Sequence, residues 1–282
     1  MYYANLHLHS TYSDAGFTPG QLVRLGKALG YKALSLTDHE TDGGWPEFQR
    51  AARSNDILPV LGAEFYANFE THCLHLTALD YRYDDPGIRS LITRLCENMT
   101  EWTRRRFERA VEKGWISGLT WEQVLQMCGP DTWICHDTVQ YCAKVLRAVP
   151  NDFDWGTFRL HTWRDPEVKA WKIPSPTAQE VISTVRNAGG VICWAHPTAE
   201  LIRDHIQELV ELGLNGIEVC HPGMTPEALE LAAEMAQKYN LYRSGGTDHT
   251  GPMSACGGHL AIPAYQGISE EDFCILMERR LD

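Results

Sequence analysis

A chain of 282 residues with 44% hydrophobic residues, nine Trp and 22% charged residues is long enough for one large α/β barrel or two ordinary domains, which excludes a disordered polymer. There is no apolar run long enough to cross a bilayer and no basic-then-apolar leader, and nine scattered cysteines lack any Cys-x-x-Cys pair, so a soluble, cytoplasmic protein in a reducing compartment, with no membrane partner, is expected. The formal net charge of -12 opposes sequence-independent attraction to long nucleic acid and favours a small substrate.

The first strand carries Asn5-Leu6-His7-Leu8-His9, and alternation along a strand puts His7 and His9 on one face, Leu6 and Leu8 on the other. Ser10-Thr11-Tyr12-Ser13 then breaks the strand and returns the carboxylate of Asp14 towards the two imidazoles. Thr18-Pro19 opens a helix that runs to Leu29 and stops at Gly30. A short strand, residues 33–39, ends in Thr37-Asp38-His39, and Trp45 to Ser54 reads as the next helix. The third strand, residues 57–65, ends at Glu64, a carboxylate set between apolar neighbours. The fourth covers residues 72–80, where periodicity alone leaves open whether His72 or His75 faces inward.

Between residues 84 and 174 the strand-helix alternation stops. Ile88 to Lys113 predicts a long helix, Thr120-Trp121-Glu122-Gln123 a second helix start, and Trp133 to Val149 a third helical stretch, followed by a Trp-rich irregular segment to Pro176. We read this as a mostly helical insertion, a cap domain over a barrel formed by residues 1–83 and 175–282. Arg104, Arg105 and Arg106 cannot all face one way on a helix, and a solvated basic face is their simpler reading.

The alternation then resumes. A helix capped by Ser175-Pro176-Thr177 leads to a strand ending in Ala195-His196-Pro197, a helix from Leu201 to Glu211 leads to residues 216–222 with His221, and a helix from Thr225 to Asn240 leads to Arg243 and Gly246-Thr247-Asp248-His249. In a barrel the strand ends converge on one mouth. His7, His9, Asp14, His39, Glu64, His75, His196, Asp248 and His249 are too many ligands for one tetrahedral zinc, and suit two or three divalent ions such as Mn, Fe or Zn.

These motifs, in this order, resemble those of the PHP family, the polymerase and histidinol phosphatase superfamily, over about residues 3–80 and 175–251. The resemblance implies a distorted (β/α)7 barrel and metal-dependent hydrolysis of phosphate esters. It also implies that His7, His9, Glu64 and Asp248 hold one ion, that Glu64 bridges to a second held by His75 and His196, and that Asp14, His39 and His249 hold a third. A metal-bridged hydroxide held through Glu64 would then attack phosphorus, with His221 as a donor to the leaving group. The family ends in Asp-x-His; here His249 follows Asp248 directly and Thr250 stands in the usual place. Ile134-Cys135-His136 stands where stand-alone relatives carry Arg-Pro-His, which makes His136, with Arg203 and Arg243, a substrate-binding candidate. The leading expectation is a phosphomonoesterase or phosphodiesterase acting on a small phosphorylated sugar or nucleotide. A 3'-5' exonuclease on short oligonucleotides, a metal-stabilised binding module and a C–N hydrolase are the competing expectations. The oligomeric state is left open.

Overall fold

In a computed structural model, residues 2–129, 131–149, 166–171, 174–249 and 266–278 are described. Seven strands lie side by side in chain order: β1 (Ala4–Asn5), β2 (Ala33–Leu36), β3 (Leu58–Phe69), β4 (His72–Leu79), β5 (Val191–Trp194), β6 (Gly216–Cys220) and β7 (Tyr242–Gly245). The first three are parallel, as are the last three, whereas β4 is antiparallel to both neighbours. A two-residue turn at Glu70 and Thr71, with Glu70 at φ 50°, closes the β3–β4 hairpin in place of a crossover helix. This hairpin is the distortion in an otherwise β/α barrel.

The ends of the sheet almost close. Leu6 N donates to Gly245 O (3.0 Å), Asp248 N donates to His7 O (3.0 Å), and Leu8 bridges His249 in parallel. Only Ala4–Asn5 is regular in the first strand, shorter than the run through His9 that alternation predicts. The close approach depends on Gly246, because a Cβ there would lie 2.5 Å from the His7 Cβ.

Local chemistry sets the helices. α1 (Pro19–Leu29) starts at a capping box in which Thr18 accepts from Gln21 N and Gln21 accepts from Thr18 N, and ends at Gly30 with φ 91°. α2 (Trp45–Ser54) follows β2. α3 (Pro86–Glu112) buries Ile88, Leu91, Ile92 and Leu95 against the barrel, while Phe107 and Ala110 further along join a second core with α4 (Trp121–Cys128) and α5 (His136–Val145). The Thr120 box with Gln123 starts α4 as its sequence predicts. Arg104 and Arg105 lie exposed beside Glu101, whereas Arg106 is buried over the Trp102 ring. α6 (Pro166–Ala170) is short, and most of the Trp-rich segment lies outside the described residues. Thr177, Thr198 and Thr225 cap α7 (Ala178–Asn187), α8 (Ala199–Glu211) and α9 (Pro226–Lys238).

Leu6, Val60, Leu79 and Val191 from four parts of the sheet pack with Phe273 and Leu276 of α10 (Glu270–Glu278). Among the described residues, no helix is long and apolar enough to cross a membrane.

Candidate metal centre

The parallel strands deliver their polar residues at or just past their C-terminal ends. His7 and His9 follow β1, His39 follows β2, His196 follows β5, His221 follows β6 and Asp248 follows β7. Because β4 runs the other way, His75 in its first half reaches the same end. His75, not His72, faces Glu64; His72 lies on the opposite side against His205, ring centroids 5.1 Å apart.

Glu64 is the hub. Its carboxylate is fully buried, and Oε1 lies 3.4 Å from His7 Nε2, 3.2 Å from His75 Nδ1 and 3.4 Å from His196 Nε2. Oε2 lies 3.3 Å from His9 Nε2 and 3.1 Å from His39 Nδ1. Asp248 Oδ1 closes on His9 Nε2 at 3.0 Å and on His7 Nε2 at 3.6 Å. On the far side Asp14 approaches His9 Nδ1 at 3.8 Å and His39 Nε2 at 3.6 Å. Asp14 is presented by the loop that Asp38 ties down, accepting from Ser10 N (2.6 Å), Ser10 Oγ (2.7 Å) and Ser13 Oγ (2.6 Å). His196 and Asp248 adopt left-handed backbone conformations, φ 35° and 49°, that non-glycine residues normally avoid and that recur where a site dictates the backbone.

Electrostatics and hydrogen bonding agree on what this cluster lacks. Burial alone would lower the His7 pKa, but Glu64, Glu218 and Asp248 raise it well above its ordinary value. Burial likewise opposes, and Asp248 and Glu64 overcome it to raise, His9. Burial would push Glu64 up, but the imidazoles of His7, His39 and His75 hold it well below the usual carboxylate range. Yet His7 Nε2, both ring nitrogens of His9, His39 Nδ1 and Glu64 Oε2 are buried without a hydrogen-bond partner. Buried polar atoms are rarely left so. Imidazole nitrogens and carboxylate oxygens converging at 3.0–3.6 Å fit a divalent cation between them, and the ligand atoms of His7, His9 and Glu64, of Glu64, His75 and His196, and of His9, Asp14 and His39 each lie within 4.8 Å of one another.

Three of the candidate side chains lie away from the cluster. His249 does not turn towards Asp14 and His39: in a parallel pair bridged residues share a face, so its ring joins Leu8 on the side away from His7 and His9, beside Phe17 (5.6 Å) and Leu22. Thr250 lies outside the described residues. Arg243 fails by the same parity, since Ser244 is the register partner of inward-facing Glu218, and Arg243 instead donates to Ala233 O on α9. Arg203 sits on the exposed surface paired with Glu227. His136 starts α5, paired with Asp137 at 2.9 Å, where Thr138 Oγ1 donates to Ser13 O and docks the helix onto the Asp14 loop.

One buried group escapes the sequence reading: Glu218 of β6, fully buried, with Oε1 2.8 Å from His7 Nδ1. The signal was available, because Glu218 lies between Ile217 and Val219 as Glu64 lies between Ala63 and Phe65.

Comparison with known proteins decides the family. A sequence profile described as "PHP domain" matches residues 5–136, which include His7, His9, Asp14, His39, Glu64 and His75. The chain carries a PHP domain over those residues. The PHP chain is 28% identical over 258 residues to a protein of Haemophilus influenzae named 5'-3' exoribonuclease, covering 90% of each. It is 26% identical over 250 residues to a protein of Eggerthella lenta named phosphoribosyl 1,2-cyclic phosphate 1,2-diphosphodiesterase, covering 88% of the PHP chain and 94% of the relative. Its fold matches the crystal structure of a Bifidobacterium adolescentis protein proposed to be a metal-dependent phosphoesterase, with a TM-score of 0.79 at 24% identity over 99% of the PHP chain and 96% of the other.

Proposed function

We propose that this PHP chain hydrolyses phosphate esters, monoester or diester, of a small phosphorylated sugar or nucleotide, using two or three divalent ions of the Mn, Fe or Zn type. The observation that carries the reading is Glu64, a buried carboxylate approached within 3.4 Å by five imidazoles from four parts of the chain. His7, His9, Glu64 and Asp248 would hold one ion, and Glu64, His75 and His196 a second. Any third would lie between Asp14 and His39, with His9 rather than His249 beside them. When bound, such ions supply Lewis acidity and a water ionised near neutral pH, so no protein nucleophile is required.

The chain's own residues orient and protonate. His221 Nδ1 accepts from Gly223 N (3.0 Å), which leaves the proton on Nε2, 3.4 Å from Asp248 Oδ2. A buried N–H donor at that place suits a phosphoryl or leaving-group oxygen. Residues 84–174 act in this proposal as a cap: the Trp133 ring lies tilted beside His39 with centroids 5.3 Å apart, and Tyr12, Asp14, Asp137 and Tyr141 line an adjoining cavity of about 280 Å³. His136 remains the insert's substrate-binding candidate, and the scattered cysteines support a cytoplasmic setting.

A second reading, exonuclease action on short oligonucleotides, draws on the Haemophilus influenzae relative; its name gives a 5'-3' direction, opposite to the 3'-5' polarity expected from the sequence. The charge of -12 weighs against long nucleic acid. Hydrolysis of p-nitrophenyl phosphate, bis-p-nitrophenyl phosphate and a 5'-phosphorylated hexaribonucleotide, each with Mn²⁺ and with chelator, tests the proposal. Mn²⁺-dependent turnover of a small ester supports it, turnover of the oligonucleotide alone favours the second reading, and no turnover of any refutes both.

A further inference from the structure

Glu218 sits behind the cluster, without access to solvent, and its two oxygens address two different histidines. Oε1 lies 2.8 Å from His7 Nδ1, and Oε2 accepts the backbone N–H of His196 at 2.6 Å. An ionised carboxylate only accepts, so the neutral His7 ring that a metal requires must keep its proton on Nδ1 and offer the Nε2 lone pair to the face it shares with Glu64 and Asp248. The second oxygen acts on the backbone. His196 stands at φ 35°, a conformation that costs about 1–3 kcal/mol unless its surroundings hold it, and the short bond to Glu218 fixes the residue that turns Nε2 to 3.4 Å from Glu64.

We propose that Glu218 is a positioning residue that sets the His7 tautomer and the His196 backbone together, so that one buried carboxylate prepares a ligand on each half of the cluster. This assignment rests on the metal-dependent reading above. Glu218 is poorly suited to be a ligand itself, although its oxygens, His7 and His221 fall within 4.8 Å of one another. Both of its oxygens are engaged at hydrogen-bond distance, and the ring nitrogen that His221 turns inward carries a proton.

The isosteric change Glu218→Gln separates these roles because an amide offers one acceptor and one donor. If its oxygen serves His196 N–H, its NH₂ confronts His7 Nδ1 and moves the His7 proton to Nε2, where the lone pair is needed. If it turns the other way, two donors face each other at His196. Calorimetric titration of the full-length protein with Mn²⁺ should show roughly 10–100-fold weaker binding for E218Q, with Glu218→Asp, which keeps two acceptors on a shorter arm, in between. ¹⁵N NMR of the Zn²⁺-loaded wild type should show His7 protonated at Nδ1. Circular dichroism and the melting midpoint in chelator report whether E218Q folds; if it does not, the wild-type tautomer decides. Equal Mn²⁺ affinity and stoichiometry in folded E218Q, or a His7 protonated at Nε2, overturns the assignment. Failure of the wild type to bind Mn²⁺ would instead overturn the metal-dependent reading on which it stands.

Discussion

His75 and Glu64 meet diagonally across the β3–β4 hairpin, Nδ1 3.2 Å from Oε1, although the residue directly opposite Glu64 is Thr77. Two positions of stagger on one face of an antiparallel pair leave side chains within reach. Reversing β4 thus brings a histidine from the first half of a strand to the mouth that the parallel strands reach with their last residues.

Glu64→Gln keeps the shape of the hub but removes the charge shared by five imidazoles. Metal affinity should fall by more than the roughly 100-fold expected of an outer contact, with hydrolysis lost in parallel. Isothermal titration with Mn²⁺ and a bis-p-nitrophenyl phosphate assay measure both. Retained affinity would remove Glu64 from the centre.

The metal-free protein should respond to pH in a definite direction. His7 and His9 are raised above the ordinary imidazole value of 6.5, so their protonated forms contribute stability below that value which is lost as pH rises through the raised pKa values. Glu64 and Asp248 are lowered, so theirs is present above the unfolded carboxylate values and lost as acid titrates them. Melting of chelated protein should therefore decline as pH rises above about 6.5. Metal must displace the same protons, so Mn²⁺ binding should release protons and tighten with pH. Calorimetry in two buffers of different ionisation enthalpy reads the release; no release at pH 6.5 would contradict the electrostatics.

Asp248 and His249 are neighbours in sequence with opposite assignments. Asp248→Asn should weaken Mn²⁺ binding by at least about 10-fold. His249→Ala should leave the affinity near wild type and lower stability by about 1–3 kcal/mol, because a buried ring is removed. Urea unfolding beside Mn²⁺ titration distinguishes them, and a metal defect in H249A would restore His249 to the centre.

His221→Ala should slow hydrolysis by about 100-fold or more with metal content unchanged. Metal analysis after dialysis, beside kcat, separates donor from ligand; lost metal in H221A would make His221 a ligand.

Much of this was legible before any coordinates. Thr18-Pro19, Thr120 with Gln123 and Thr177 announce helix starts because capping is local chemistry, and the α2 limits, Trp45–Ser54, are those expected from the sequence. The converging His and acidic residues were legible because all but Asp14 lie on or just past an apolar run, and Asp14 is returned by the turn that follows His9. What escaped depends on long-range pairing. The facing of His249 is set by its bridge to Leu8, that of Arg243 by register with β6, and the role of Glu218 by two histidines 211 and 22 residues away. The direction of β4 depends on a two-residue turn that no periodicity reveals.

The most direct test is anomalous scattering from crystals grown with Mn²⁺. The account predicts manganese peaks at Glu64, one shared with His75 and His196 and one with His7, His9 and Asp248. A map with the protein ordered and no peak within coordination distance of Glu64 would contradict it.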